Sequence, residues 1–162
     1  MTKWTGSYLG KKVKLEAYQQ NIERGIAAFN YALDNILKSK VGVYGASLGG
    51  ICAVTATILY PKRVKALSTV AAGVDIPSII AGSEQEGMKS NRSRVIKERN
   101  LTNKQYEKLI RSNIDFDYKK HLNSQVMLTP HQTVTVNDDK LVKTNKQNEL
   151  MDVFLNTERR FS

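Results

Sequence analysis

The chain has 162 residues, 41% hydrophobic and 25% charged, which describes one ordinary domain, 1–162, with enough apolar residues for a real core. No run approaches the ~18 apolar residues of a membrane span, no secretory signal is visible in Met1-Thr2-Lys3-Trp4-Thr5-Gly6, and the single cysteine, Cys52, excludes an internal disulfide framework and a multi-cysteine zinc site and fits a reducing cytoplasm. The net charge of +10 is spread along the chain with no run of five basic residues, so it reads as a solvated basic face and a nucleic-acid partner is not expected.

Residues 1–14 are polar and read as a lead-in loop. From Leu15 the apolar residues Leu15, Tyr18, Ile22, Ile26, Phe29, Leu33 and Ile36 recur at helical spacing, which predicts a long amphipathic helix ending near Lys38–Lys40. Val41-Gly42-Val43-Tyr44-Gly45 is short and uncharged, as expected of a strand buried in a parallel sheet. Ile51–Tyr60 is apolar nearly all round and predicts a buried helix stopped by Pro61. Val64–Val74 reads as a second buried strand, and 75–83, with Pro77 and Gly82, as a loop. Residues 84–121 are polar and predict two helical pieces broken near Asn100–Asn103. Val126–Val136 returns to strand character around Pro130, 143–155 predicts a final helix, and the last seven residues read as frayed. Alternating helices and strands at this spacing make an α/β fold with about three parallel strands flanked by helices.

Between the first strand and the helix that follows it lies Gly45-Ala46-Ser47-Leu48-Gly49, a G-x-S-x-G pattern in the strand–turn–helix context of a nucleophile elbow. A turn that tight strains the serine backbone and requires small residues two before and two after it, here Gly45 and Gly49. The Ser47 hydroxyl then projects from the end of the sheet, where the helix N-terminus offers free N–H groups to a developing oxyanion. The N–H of Leu48 is the natural first donor. The competing reading is a glycine-rich turn with a capping serine.

On these residues the chain resembles the C-terminal two-thirds of an α/β-hydrolase-fold protein of the serine hydrolase type. The helix of 15–38, the Val41–Gly50 strand and elbow, the Tyr60-Pro61-Lys62-Arg63-Val64 linker and the Val136–Val142 segment carry the resemblance. It implies an incomplete three-layer sandwich with 84–121 as a helical, lid-like insertion. It also implies roles: Ser47 as nucleophile and Asp139, followed three residues later by Val142, as the strand-end acid, with Asp138 as the alternative. Gln147 and Leu150 continue that pattern, while Lys143 stands where a proline is common. A strand-end carboxylate could equally be a turn former.

The fold's chain order is serine, acid, histidine, yet no histidine follows Asp139. The first strands, and the loop that gives the second oxyanion N–H, have no counterpart either. His121 and His131 both read as exposed, and of the two His121 is better placed to fold over the site. Two readings stay open. One is a hydrolase of carboxylic esters or related acyl substrates, inactive if the triad histidine is lacking. The other is a non-catalytic remnant or binding protein that keeps the fold. A nucleic-acid module ranks last. No cofactor or metal is implied. The expected partners are a small acyl substrate and, through the apolar edge of Val41–Gly45, a second copy of the chain, with poor solubility as the alternative.

Overall fold

A computed structural model describes residues 16–35, 39–114, 116–154 and 157–161. The lead-in loop expected over 1–14, and the side chains of Leu15, Tyr18 and Ile36, lie outside the described residues. Helix α1 spans Glu16–Asn35, strand β1 Val41–Ala46, helix α2 Leu48–Leu59 and strand β2 Val64–Val70. Helices α3 (Ile76–Gly82), α4 (Glu86–Arg99) and α5 (Asn103–Asn113) follow, then a 3-10 turn at Tyr118–His121 and the short helix α6 (Ser124–Met127). Strand β3 (His131–Thr135), helix α7 (Thr144–Val153) and strand β4 (Thr157–Phe161) close the order. The four described strands form one parallel sheet in the order β1-β2-β3-β4.

α2 is the central buried element. It packs on β1 and β2, and nearly every residue from Gly50 to Ile58 is buried. Its buried threonines do not leave orphan hydroxyls. Thr55 donates to Ile51 O at 2.9 Å and Thr57 to Ala53 O at 2.8 Å. α1 lies against α2, with Ile22 and Leu33 buried and Gly25 so close that a Cβ there would meet Cys52 Sγ at 3.1 Å. The end of α1 is tied to the α2–β2 linker by Arg63, which donates to Leu33 O and to Asp34 Oδ1.

One apolar cluster joins α2 to the sheet and α7 through Val54, Ile58, Leu67 and Leu150. A second joins α1 and α2 to the helices after β2 through Ile51, Ile79, Met88 and Tyr106. The helical stretch expected over 84–121 therefore shares a core with the rest of the chain. Two ties fasten it to the two ends of α3. Arg111 on α5 makes a bidentate pair with Asp75 (2.9 and 2.7 Å), and Arg92 on α4 donates to Ala81 O and Ser83 O.

Five stretches differ from the sequence expectation. β1, expected to be buried, exposes Gly42, Tyr44 and Ala46 as an edge of the described sheet. The strand expected over Val64–Val74 ends at Val70, where Ala71 turns to a positive φ of 49°. Residues 75–83 are not a loop: Ile76–Gly82 is helical, Pro77 sits in the first turn where no N–H is needed, and Ile76, Ile79 and Ile80 are buried. The strand expected from Val126 starts only at His131. Asn123 Oδ1 accepts from Gln125 N and Val126 N and so nucleates α6 instead, and Pro130 separates the two elements. The tail expected to fray is β4, whose backbone pairs with β3 from His131↔Thr157 to Thr135↔Phe161.

Candidate active site

β1 and α2 are separated by one residue, Ser47, whose backbone lies at φ 50°, ψ −122°. A non-glycine residue with positive φ is uncommon and costs ~1–3 kcal/mol, so the surroundings must hold it. They do so on both sides. Ser47 N donates to Val70 O of β2 at 2.8 Å, and Ile51 N donates back to Ser47 O at 3.0 Å. The first N–H groups of α2, those of Leu48 and Gly49, have no carbonyl one turn back. They lie next to Ser47 at the C-terminal end of β1.

The steric demand is unequal among the elbow glycines. A Cβ on Gly45 would lie 2.3 Å from Gly49 O and 2.8 Å from Gly50 Cα. At Gly50 it would meet Ala72 Cβ at 2.7 Å, whereas at Gly49 it would meet no described atom within 4 Å. The second crowded position is thus Gly50, not Gly49. The Gly49 backbone is what Gly45 must clear, but its own Cβ direction is open.

Asp139 lies four residues past the end of β3, in a loop held from two directions. Its Oδ1 accepts from Leu141 N at 2.9 Å and Val142 N at 2.6 Å, which explains a small three-residue spacing to Val142. Its Oδ2 accepts from no described residue. Asp138, exposed and at φ 60°, makes the turn itself. Gln147 on α7 is fully buried and clamps the same loop: its Oε1 accepts from Val136 N (2.8 Å), and its Nε2 donates to Val136 O (2.9 Å) and Val142 O (2.7 Å). The register Ala46↔Val70↔Val134 places Ser47 and the Asp139 loop at the same, C-terminal end of the sheet, two strand spacings or ~10 Å apart. A third carboxylate at this end, Asp75, has both oxygens engaged by Arg111.

The histidines are not part of this arrangement. His131 is buried, not exposed as expected. It opens β3 at the opposite end of the strand, pairs with Leu67 in register and packs its ring 4.7 Å from that of Phe154. The Thr69 hydroxyl donates to Thr133 Oγ1 (3.0 Å), so His131 Nε2–H donates to Thr69 Oγ1 (2.9 Å), and the buried Nδ1 has no described partner. Burial pushes the His131 imidazole down to about 4. His121 is exposed and stacks on Phe116 at 5.7 Å. The chain beyond it runs toward the far end of α2, where Gln125 Nε2 donates to Pro61 O. Neither histidine is hydrogen-bonded to Ser47 or Asp139.

One cavity reaches the elbow through Leu48, and a second shares two of its walls. Leu48 lines the first, a small apolar one of about 30 Å³, with Ile51, Ile76, Ile79, Met88 and Leu141. Ile79 and Leu141 also wall a polar groove of about 510 Å³ between α3, α5 and the start of α7. Sequence reading missed this groove and the Gln147 clamp, since neither forms a local motif.

No protein-family model and no curated protein matches the chain in sequence. Solved structures do match its fold. Est1E from Butyrivibrio proteoclasticus superposes with a TM-score of 0.58 at 16% identity, covering 93% of this chain and 61% of its own. Mouse α/β-hydrolase domain-containing protein 10 gives 0.57 at 16% identity over 86% and 59%. MGS-MChE2, an α/β-hydrolase enzyme from the metagenome of lagoon sediments at Mar Chica, Morocco, gives 0.54 at 18% identity over 87% and 58%. The chain has the α/β-hydrolase fold, and it spans about six-tenths of the length of these structures. Among the described residues, no helix is long and apolar enough to cross a membrane.

Proposed function

We propose that this chain carries the nucleophile-bearing part of a serine hydrolase acting on carboxylic esters or related acyl substrates. The observation that carries the reading is the positive-φ Ser47 in a one-residue turn from parallel strand to buried helix, with Gly45 and Gly50 crowded against neighbouring atoms. A strained serine at a helix N-terminus is poorly explained by packing alone. In the proposed reaction Ser47 Oγ attacks the ester carbonyl carbon and passes its proton to a base. The Leu48 N–H stabilises the oxyanion, the C–O bond to the alcohol breaks, and the alcohol leaves with that proton. Water then releases the acid from the acylated serine. Asp139, with Oδ1 fixed by two backbone N–H groups and Oδ2 open, is suited to orient a histidine.

The base is the part without a described candidate. That favours a second reading, a protein that keeps the hydrolase fold without turnover, because neither His121 nor His131 is bonded to Ser47 or Asp139. A fluorophosphonate probe separates the two. Labelling of Ser47 in the folded protein, absent in Ser47→Ala and after unfolding, is expected of the hydrolase. An unlabelled Ser47 in the native fold removes the active-enzyme reading and leaves the second.

A further inference from the structure

The polar groove that shares Ile79 and Leu141 with the small cavity lined by Leu48 has an unbalanced lining. Four cations border it, Arg92, Lys104, Lys143 and Lys146, against two carboxylates, Glu84 and Glu107. Both carboxylates are already committed. Glu84 takes Arg92 at 3.0 Å and Lys89 at 3.3 Å, and these partners hold its carboxyl below the usual range. Lys143 is only a distant third at 3.8 Å. Glu107 takes Arg111 from outside the groove at 2.8 Å. Two of the cations are committed as well, Arg92 to Glu84 and Lys146 to Glu149 at 2.7 Å. Lys104 has no ion-pair partner among the described residues, and Lys143 has only its 3.8 Å contact with Glu84. Field lines from such cations focus in a concave, partly apolar site more than on an open surface.

The position of the groove matters as much as its charge. Ile79 and Leu141 form the partition between it and the apolar cavity under Leu48, the residue after Ser47. Leu141 is also held by Asp139 Oδ1. A molecule whose reacting carbonyl sat at the elbow could therefore place one end in the small apolar cavity and the other in the groove. The apolar space admits about two heavy atoms beyond the carbonyl at most, since its volume is of the order of one or two waters.

We propose that the groove, through Lys104 and Lys143, binds the anionic group of a small ester, so that the preferred substrate couples a short acyl chain to an alcohol bearing a carboxylate or a phosphate. This rests on the hydrolase reading for its reaction but not for its binding. The binding is tested on the Ser47→Ala chain by calorimetric titration with 4-hydroxybenzoate, with phenyl phosphate and with neutral methyl 4-hydroxybenzoate. One or both anions should bind at least ~10-fold more tightly than the neutral ester, and the preference should shrink as salt rises. Which anion binds tells carboxylate from phosphate. The double substitution Lys104→Gln with Lys143→Gln should abolish the preference while leaving the unfolding transition in place, and Glu107→Gln should strengthen anion binding. Equal affinities, no binding, or a preference untouched by the double substitution overturns the proposal. Anion binding without fluorophosphonate labelling would keep the groove and discard the hydrolase. Labelling without anion preference would do the reverse.

Discussion

At Gly45 the absence of a Cβ is a packing requirement, because the missing atom would sit 2.3 Å from a carbonyl oxygen that cannot move without unwinding the start of α2. Gly45→Ala should therefore destabilise the fold by about 3 kcal/mol or more in urea unfolding. Gly49→Ala, two residues beyond the serine, should be neutral or stabilising by up to ~1 kcal/mol, because alanine is the better helix former and its Cβ has room. Equal losses at the two sites would contradict the geometry. Gln147 is a second residue whose environment decides its worth. Gln147→Leu would strip partners from three backbone groups of the Asp139 loop, each costing ~1–3 kcal/mol when buried and unmet. A loss of at least ~3 kcal/mol, with faster amide exchange at Val136, is the expected outcome. His131 sets a pH dependence. Its folded-state value of about 4 lies below the ordinary 6.5, so the unfolded chain binds more protons between these values. Stability from this group is then intact above about pH 6.5 and is lost as pH falls toward 4, by roughly 3 kcal/mol in all. Urea midpoints from pH 7 to 4 should fall less steeply in His131→Leu than in the parent chain.

Among the elements, those written in apolar periodicity were legible and those written in backbone chemistry were not. α1, β1 and α2 announce themselves by helical spacing, an uncharged run and an all-round apolar segment. α3 was hidden because Pro77 and Gly82 look like loop punctuation in a seven-residue element too short to show a face. β4 was hidden because Thr157-Glu158-Arg159-Arg160-Phe161 is charged, and its place comes from main-chain pairing with β3. The break between α4 and α5 was visible, and its cause is local. Asn100 ends α4 in the left-handed conformation, and Thr102 opens α5 with a capping box to Gln105. Thr102→Ala should cost about 1 kcal/mol, read from thermal unfolding, and an unchanged midpoint would mean that tertiary packing holds the helix without its cap.

At the scale of the whole molecule, β1 is an edge strand among the described strands, and its row Gly42, Tyr44 and Ala46 is exposed, Tyr44 at 69%. An uncharged edge with an aromatic beside it is prone to pair with a strand of another chain. Sedimentation velocity should show concentration-dependent self-association, weakened by Tyr44→Lys. A monomer across the concentration range would contradict this.

The tight turn at Ser47 was readable from sequence because its pattern is compressed into five consecutive residues, and strand, turn and helix follow each other without a gap. The Asp139 loop was readable only as the spacing from Asp139 to Val142. Tertiary structure decided the rest. Which glycine beside Gly49 is crowded depends on Ala72 arriving from the end of β2. Which carboxylate keeps an open oxygen depends on Arg111 reaching Asp75 across 36 residues and on Gln147 pinning Val136 and Val142 at the ends of the Asp139 loop. The burial of His131 depends on β2 and Phe154 meeting at the far end of β3. Local patterns specify elements and tight turns because their causes lie within a few residues. Burial, charge pairing and cavities are set by contacts between distant segments, and only the folded chain brings those together.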